Sequence, residues 1–187
     1  MNLFSNEAKW IKGCKANERA AQEGLYKLYY REMWQVCNRY LKSPELAEEV
    51  LNSAFLKVFQ HISGFDPAKG KLKTWIKVIM IRTCIDFLRK QMHFRSGIPV
   101  VYDDDDFFVS PAVLEKLYAE DLMKAVRSLP AATQTVFNLS VMDGYSHKEI
   151  AAQLQITEST SRWHLTEAKK QLRARLEPGV TQEGMII

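Results

Sequence analysis

Apolar residues recur at three- and four-residue intervals along most of the chain, the period of a helix with one buried face. Trp10, Ile11 and Cys14 mark a first helix. From Ala20 to Leu41 the stripe is Leu25, Leu28, Tyr29, Met33, Val36, Cys37, Tyr40 and Leu41. Glu45 to His61 carries a thick band of Leu46, Val50, Leu51, Ala54, Phe55, Val58 and Phe59. Ile76, Met80, Cys84, Phe87 and Leu88 give a fourth face, on a helix running to about Met92. Val113, Leu114, Leu117, Leu122, Val126 and Leu129 predict one or two further helices, and Val136, Phe137, Leu139 and Val141 another. No stretch alternates with the two-residue period of a strand.

Local chemistry places the breaks. Ser43-Pro44-Glu45 combines a capping hydroxyl, a proline at the first helical position and an acid at the positive end of the dipole. Thr74 is placed to cap the fourth helix, and Ser110-Pro111 repeats the Ser-Pro start. Gly64 to Gly70 is a loop with two glycines and a proline. Pro130 opens a helix that Asp143-Gly144 closes. The segment beyond Pro178 is expected to fray.

From Ser146 to Leu172 the pattern tightens into two short helices. Ser146 and Glu149 have capping-box spacing, and Ile150, Ala151 and Leu154 share one face. Gln155, Ile156 and Thr157 form a break, with Thr157 able to cap the second helix. In that second helix Ser161, Leu165, Ala168 and Leu172 line one side. Ser159, Arg162, Trp163, Thr166, Lys170 and Arg173 line the other. A small-residue stripe inside, with hydroxyl, cationic and aromatic groups outside, suits a helix-turn-helix whose second helix enters the DNA major groove. A helical hairpin with a solvated face has the same periodicity. Gln155 stands where such turns often use glycine.

The charge distribution adds a second candidate surface. The 187 residues carry a net charge of +4. Residues 1–95 hold seventeen Lys/Arg against nine Asp/Glu, residues 96–122 one Lys against seven acids, and residues 123–187 eight against six. Two basic modules around an acidic connector suit a chain that meets nucleic acid twice. In the first, Lys69 to Lys90 contains seven basic residues and one acid, Asp86. Lys73, Lys77, Arg82, Arg89 and Lys90 form a cationic surface flanked by Phe65 and Trp75. Cations neutralise phosphates and exposed aromatics stack on unpaired bases, a combination fitted to an opened strand. A basic amphipathic helix with Trp75 in the core is the alternative. The polar face of Glu48, Glu49, Asn52, Ser53 and Lys57 is either solvated or a docking surface for another protein. Asp103 to Asp106 repel one another and keep the connector extended.

These features predict an all-α chain of two small helical domains joined by a flexible acidic linker. The domains are 1–95 and 111–177, the linker 96–110 and the tail 178–187. Cys14, Cys37 and Cys84 are odd in number and far apart, so they read as small core hydrophobes rather than a disulfide or zinc framework. The N-terminus lacks a signal-peptide core and no apolar run is long enough to span a bilayer, which predicts a cytoplasmic protein without membrane insertion. His147-Lys148-Glu149 is not HExxH, and neither a phosphate loop nor a supported Ser/His/Asp set appears, so no enzyme, metal site or cofactor is predicted. His61, His93 and His164 are isolated and read as solvated or hydrogen-bonded.

The motifs together resemble a bacterial RNA polymerase sigma factor of the extracytoplasmic-function subfamily, over about residues 20–175 and in the right order. AEEVLNSAFLKVF at 47–59 is similar to the family's polymerase-binding helix. TWIKVIMIRTCIDFLRK at 74–90 is similar to its promoter-melting and −10-reading segment. Residues 129–172 are similar to its −35-reading domain. The resemblance implies binding to core RNA polymerase and promoter DNA, help with strand opening, and control by an anti-sigma protein. It implies that Leu51, Asn52 and Phe55 face the polymerase. It places Phe65, Trp75, Arg82 and Thr83 along the opened −10 strand, where Lys73 and Lys77 of the cationic surface join them, and Arg162, Trp163, Thr166 and Lys170 at the −35 groove, with Ser159 and Arg173 on the same outer face. Asn52-Ser53 replaces the family's frequent Gln-acid pair, and Arg82 stands where Asn is frequent. Trp163 and Glu167 replace small and basic residues, and Ser161 replaces a usual Val, which softens helix packing. A stand-alone helix-turn-helix regulator is the other reading. It has no need of the basic, aromatic segment between residues 45 and 90.

Overall fold

The computed structural model describes residues 3–91 and 119–176. The chain divides into two compact units, Met1–Met92 and His93–Ile187. All regular structure among the described residues is helical. The acidic linker, Ser110-Pro111, Val113, Leu114, Leu117, His93 and the tail lie outside the described residues.

The first unit contains α1 (Leu3–Lys15), α2 (Arg19–Tyr40), α3 (Pro44–His61) and α4 (Leu72–Gln91). Helix α2 is central, packing on α1, α3 and α4, while α3 also packs on α4. Its apolar stripe explains that place. Leu25, Tyr29, Met33, Val36, Cys37 and Tyr40 are all buried, as are Ala47, Val50, Leu51, Ala54, Phe55 and Val58 of the adjoining α3. Burying each large side chain contributes roughly 1.5–3 kcal/mol before ordering costs. Cys14, Cys37 and Cys84 are buried thiols. Helix α1 lies close to α2 because Gly13 and Gly24 lack side chains. A Cβ on Gly13 would stand 2.5 Å from Ala21 Cβ, and one on Gly24 would stand 2.6 Å from the Trp10 indole nitrogen.

Ser43 caps α3 as expected, its hydroxyl accepting from the Leu46 amide at 3.2 Å. Helix α4 starts earlier than Thr74. Leu72 is its first residue, and the Trp75 amide donates to the Lys71 carbonyl, so Thr74 already sits in the first turn. Burial of Leu72 extends the apolar stripe and draws the start forward. The loop before it contains two short 3-10 turns, Ile62–Gly64 and Pro67–Lys69. Asp66 caps the second through the Ala68 amide at 2.9 Å.

The second unit contains α5 (Ala119–Arg127), α6 (Ala131–Phe137), α7 (His147–Leu154) and α8 (Glu158–Leu176). Its apolar core is Val126, Leu129, Phe137, Ala168 and Leu172, with Leu122, Ala125, Leu165 and Leu176 packed against it. Helix α6 continues into a π-helical turn over Asn138–Met142. The widened turn shifts the face that periodicity assigns: Leu139 stays buried, whereas Val141, expected in the apolar stripe, is 50% exposed. Gly144, at φ +76°, then reverses the chain, and the Tyr145 amide reaches back to the Leu139 carbonyl at 2.9 Å.

Candidate nucleic-acid and protein interfaces

The α7–α8 hairpin is assembled by its caps. The Ser146 amide donates to Glu149 Oε2 at 2.9 Å while the Glu149 amide donates to Ser146 Oγ at 3.3 Å. This reciprocal box satisfies two helix-end donors. The Ser146 hydroxyl, donating to Glu149 Oε2 at 2.7 Å, and then the Ser146 amide hold the Glu149 carboxyl below its usual range. Gln155 adopts the left-handed conformation, φ 57° and ψ 44°, and ends α7. Thr157 Oγ1 accepts from the Thr160 amide at 3.1 Å and starts α8.

Beneath the hairpin, Ser161 does more than fill space. It is fully buried, and its hydroxyl lies 2.8 Å from His147 Nδ1. At this position a polar bond between α7 and α8 stands in place of an apolar contact. His164, buried on α8, lies 3.1 Å from Thr133 Oγ1 on α6. Burial pushes the His164 imidazole below its ordinary pKa. Burial does the same to His147, helped by the nearby Arg162 cation.

The opposite side of α8 is open. Arg162, Thr166, Lys170 and Arg173 are exposed, and Ser159 and Trp163 are half-buried. Ser159 Oγ lies 2.8 Å from Thr157 Oγ1. Arg162 pairs with Glu158 one turn earlier at 3.1 Å, and Trp163 stands edge-on to the His164 ring at 4.9 Å between centroids. Helix α8 thus presents cations, hydroxyls and one indole edge along a single face, which suits phosphates and base edges. Gln171 donates to Glu167 Oε1 at 2.6 Å.

In the first unit the six residues predicted for the −10 strand separate. Lys73 and Arg82 are exposed, and Trp75 and Lys77 are half-buried. Phe65 and Thr83 do not reach the surface. Phe65 is 5% exposed because its ring packs against Trp75, 5.5 Å between centroids. Its carbonyl is held by Lys15 Nζ of α1 at 3.1 Å. Thr83 turns its hydroxyl onto the Ile79 carbonyl, 2.8 Å away, an internal helix bond that solvent-side reading could not see. Lys73 is tied to Glu32 of α2 at 2.7 Å. A cleft of about 640 Å³ opens beside this loop, between Glu7, Ile11 and Tyr29 on one side and Phe65 to Lys73 on the other.

On α3 the three residues predicted to face a protein partner also divide. Leu51 and Phe55 are core residues, while Asn52 is exposed. Helical geometry puts positions 51 and 55 on the face that meets α2 and α4, so the outward surface includes Glu48, Asn52 and Leu56, with Glu49 and Ser53 beside them. Leu56 is 59% exposed. Two tyrosines of α2 that the stripe did not single out join this surface. Tyr26 donates to Asn52 Oδ1 at 2.8 Å, and Tyr30 donates to Glu48 Oε1 at 3.4 Å. Their four-residue spacing was the available signal. Burial, Tyr30 and Glu48 raise the Tyr26 phenol, so it remains a donor.

Among the described residues no group of His, Cys, Asp and Glu is arranged to hold a metal ion, and no helix is long and apolar enough to cross a membrane.

Comparison with known proteins agrees with this layout. Residues 25–94 match Sigma-70 region 2, and residues 119–172 match Sigma-70, region 4. The chain is 25% identical over 179 residues to the ECF RNA polymerase sigma factor SigW of Bacillus subtilis, covering 90% of this chain and 95% of that protein. It is 28% identical over 181 residues to the ECF RNA polymerase sigma factor SigL of Mycobacterium tuberculosis, covering 92% and 98%. Among solved structures it resembles the sigma factor RpoE in complex with the anti-sigma factor NepR from Bartonella quintana. That match has a TM-score of 0.52 at 16% identity and covers 85% of this chain and 98% of that one. It also resembles CnrH in complex with the cytosolic domain of CnrY, with a TM-score of 0.50 at 17% identity over 93% and 99%.

Proposed function

The chain belongs to the sigma-70 family as an extracytoplasmic-function sigma factor, which directs RNA polymerase to promoters, and we propose how its own residues divide that work. Helix α8 reads the upstream −35 duplex through Arg162, Trp163, Thr166 and Lys170, with Ser159 and Arg173 positioning the phosphate backbone. Helix α4 and the loop before it take the opened −10 strand. Lys73, Lys77 and Arg82 hold phosphates, and the half-buried Trp75 offers its edge to a base. Phe65 and Thr83 support that surface from within. The outward face of α3, centred on Asn52 and Leu56, meets core polymerase, with Leu51 and Phe55 setting its position from the core.

The work is binding rather than bond chemistry: the protein stabilises the open promoter by holding one strand better than the paired duplex. It acts in the cytoplasm, with its polymerase. An anti-sigma protein that covers these same surfaces is its proposed regulator.

The observation that carries the reading is the pairing of an exposed cationic-aromatic α4 with a capped helix-turn-helix in one chain. A duplex-only regulator requires the second and not the first. Reconstitution with core polymerase from its own host tests it. Specific transcripts with mapped starts and a shared pair of upstream elements are expected. A chain that binds duplex DNA but directs no transcript overturns the reading.

A further inference from the structure

Helices α2 and α3 run side by side so that two tyrosines four residues apart reach two polar residues four residues apart, in opposite order. Tyr26 meets Asn52 and Tyr30 meets Glu48. The phenol of Tyr26 is not a loose surface group. Its ring lies 4.6 Å from that of buried Phe55 and 5.5 Å from that of Tyr30. Packing therefore fixes the hydroxyl before any partner arrives, and the bond to Asn52 costs little further ordering.

The polarity of that bond has a consequence. A phenol that donates to Oδ1 occupies the acceptor end of the carboxamide and sets its flip. The two Nδ2 hydrogens are then turned away from the tyrosine on an exposed side chain, one helical turn before Leu56. We infer that Tyr26 is a positioning residue for polymerase binding: it presents Asn52 as a fixed double donor to a carbonyl or carboxylate on the polymerase, beside the apolar contact made by Leu56. The inference rests on the assignment of the outward α3 face to polymerase. Preorganisation of this kind raises affinity by removing ordering cost from the binding step.

The test is equilibrium binding of the full chain to core polymerase from its own host, with Y26F, N52A, N52D, L56A and the double variant Y26F/N52A. Y26F retains the ring that packs on Phe55 and removes the hydroxyl alone. It is expected to weaken binding about three- to ten-fold, the range of one hydrogen bond. In the N52A background the same change should cost nothing further, since the group it positions is gone. N52D, which replaces the donor by a carboxylate facing an acceptor, is expected to bind at least as weakly as N52A. If N52A and L56A weaken binding while Y26F is neutral, or if the Y26F and N52A losses add, Tyr26 does not act through Asn52 and the inference is overturned while the α3 assignment stands. If N52A and L56A are both neutral, α3 does not face polymerase there, and the assignment falls together with the inference.

Discussion

His164 on α8 and Thr133 on α6 are both buried and meet at 3.1 Å between Nδ1 and Oγ1, a polar contact across thirty-one residues of chain. With His147 and Ser161 at 2.8 Å, it makes a polar seam inside the second unit. A protonated imidazole would bring a charge into buried surroundings at His164 and partly buried ones at His147. That cost links the stability of α8 to pH.

Both histidines have folded pKa values lowered from 6.5, chiefly by burial. As pH falls, the unfolded chain binds protons first, so its population gains. Stability is therefore full above about pH 6.5 and declines as pH drops through the lower folded values. Urea midpoints followed through the α8 amides by hydrogen exchange should fall between about pH 7 and pH 5. His164→Gln should start less stable and show a shallower slope. An equal slope in the variant would assign the pH dependence elsewhere.

Arg162 lies on the open face of α8, held by an exposed pair with Glu158. Such a pair is worth little by itself, so removing the arginine costs mainly the DNA contact proposed for it. Arg162→Ala should weaken −35 binding by about 1–3 kcal/mol if the contact is a bidentate one to a base, with relaxed preference at a single position. Competition binding of the holoenzyme to singly substituted −35 sequences measures it. A uniform loss across all sequences would make Arg162 a phosphate contact.

On α4, Arg82 and Trp75 separate charge from stacking. Arg82→Ala should reduce the slope of log affinity against log salt by about 0.7 on a single-stranded −10 template, the share of one phosphate contact. Trp75→Ala should impair opening more than duplex binding. Permanganate footprints should lose reactive thymines at unchanged promoter occupancy. Unaltered footprints would make Trp75 a packing residue for Phe65 alone.

Gly13 permits the close passage of α1 against α2. Gly13→Ala places a methyl against Ala21 Cβ, where the built distance is 2.5 Å. Overpacking at a backbone-level contact should destabilise the first unit by about 1–3 kcal/mol. Denaturant unfolding of the full chain should show an earlier first transition, with −35 binding by the second unit intact.

Gln155 holds a left-handed conformation at the turn of the hairpin. Gln155→Gly removes the Cβ clash, worth roughly 1–2 kcal/mol, at a smaller entropic cost. The second unit should gain up to about 1 kcal/mol, with DNA preference unchanged. Thermal unfolding decides it.

Periodicity and capping chemistry by themselves determined the helices, the α7–α8 hairpin and its caps at Ser146 and Thr157. These depend on neighbours within a few residues, where spacing dictates which side chains share a face. The outward set on α8 was legible for the same reason, since a face opposite a small-residue stripe has nowhere to go but solvent. Which aromatic or hydroxyl is buried is a different matter. Phe65 and Thr83 went inside because Trp75, Lys15 and a carbonyl one turn back claimed them. Leu51 and Phe55 went inside because α2 lies over them. Val141 came out because a π-turn, invisible to a 3.6-residue period, rotated the face. The Tyr26–Asn52 bond and the two histidine pairs join residues that are far apart in the chain. Only tertiary packing brings such groups within hydrogen-bond reach, and where they are buried, as Thr133, Ser161 and His164 are, each is kept there by its partner rather than by its place in the sequence.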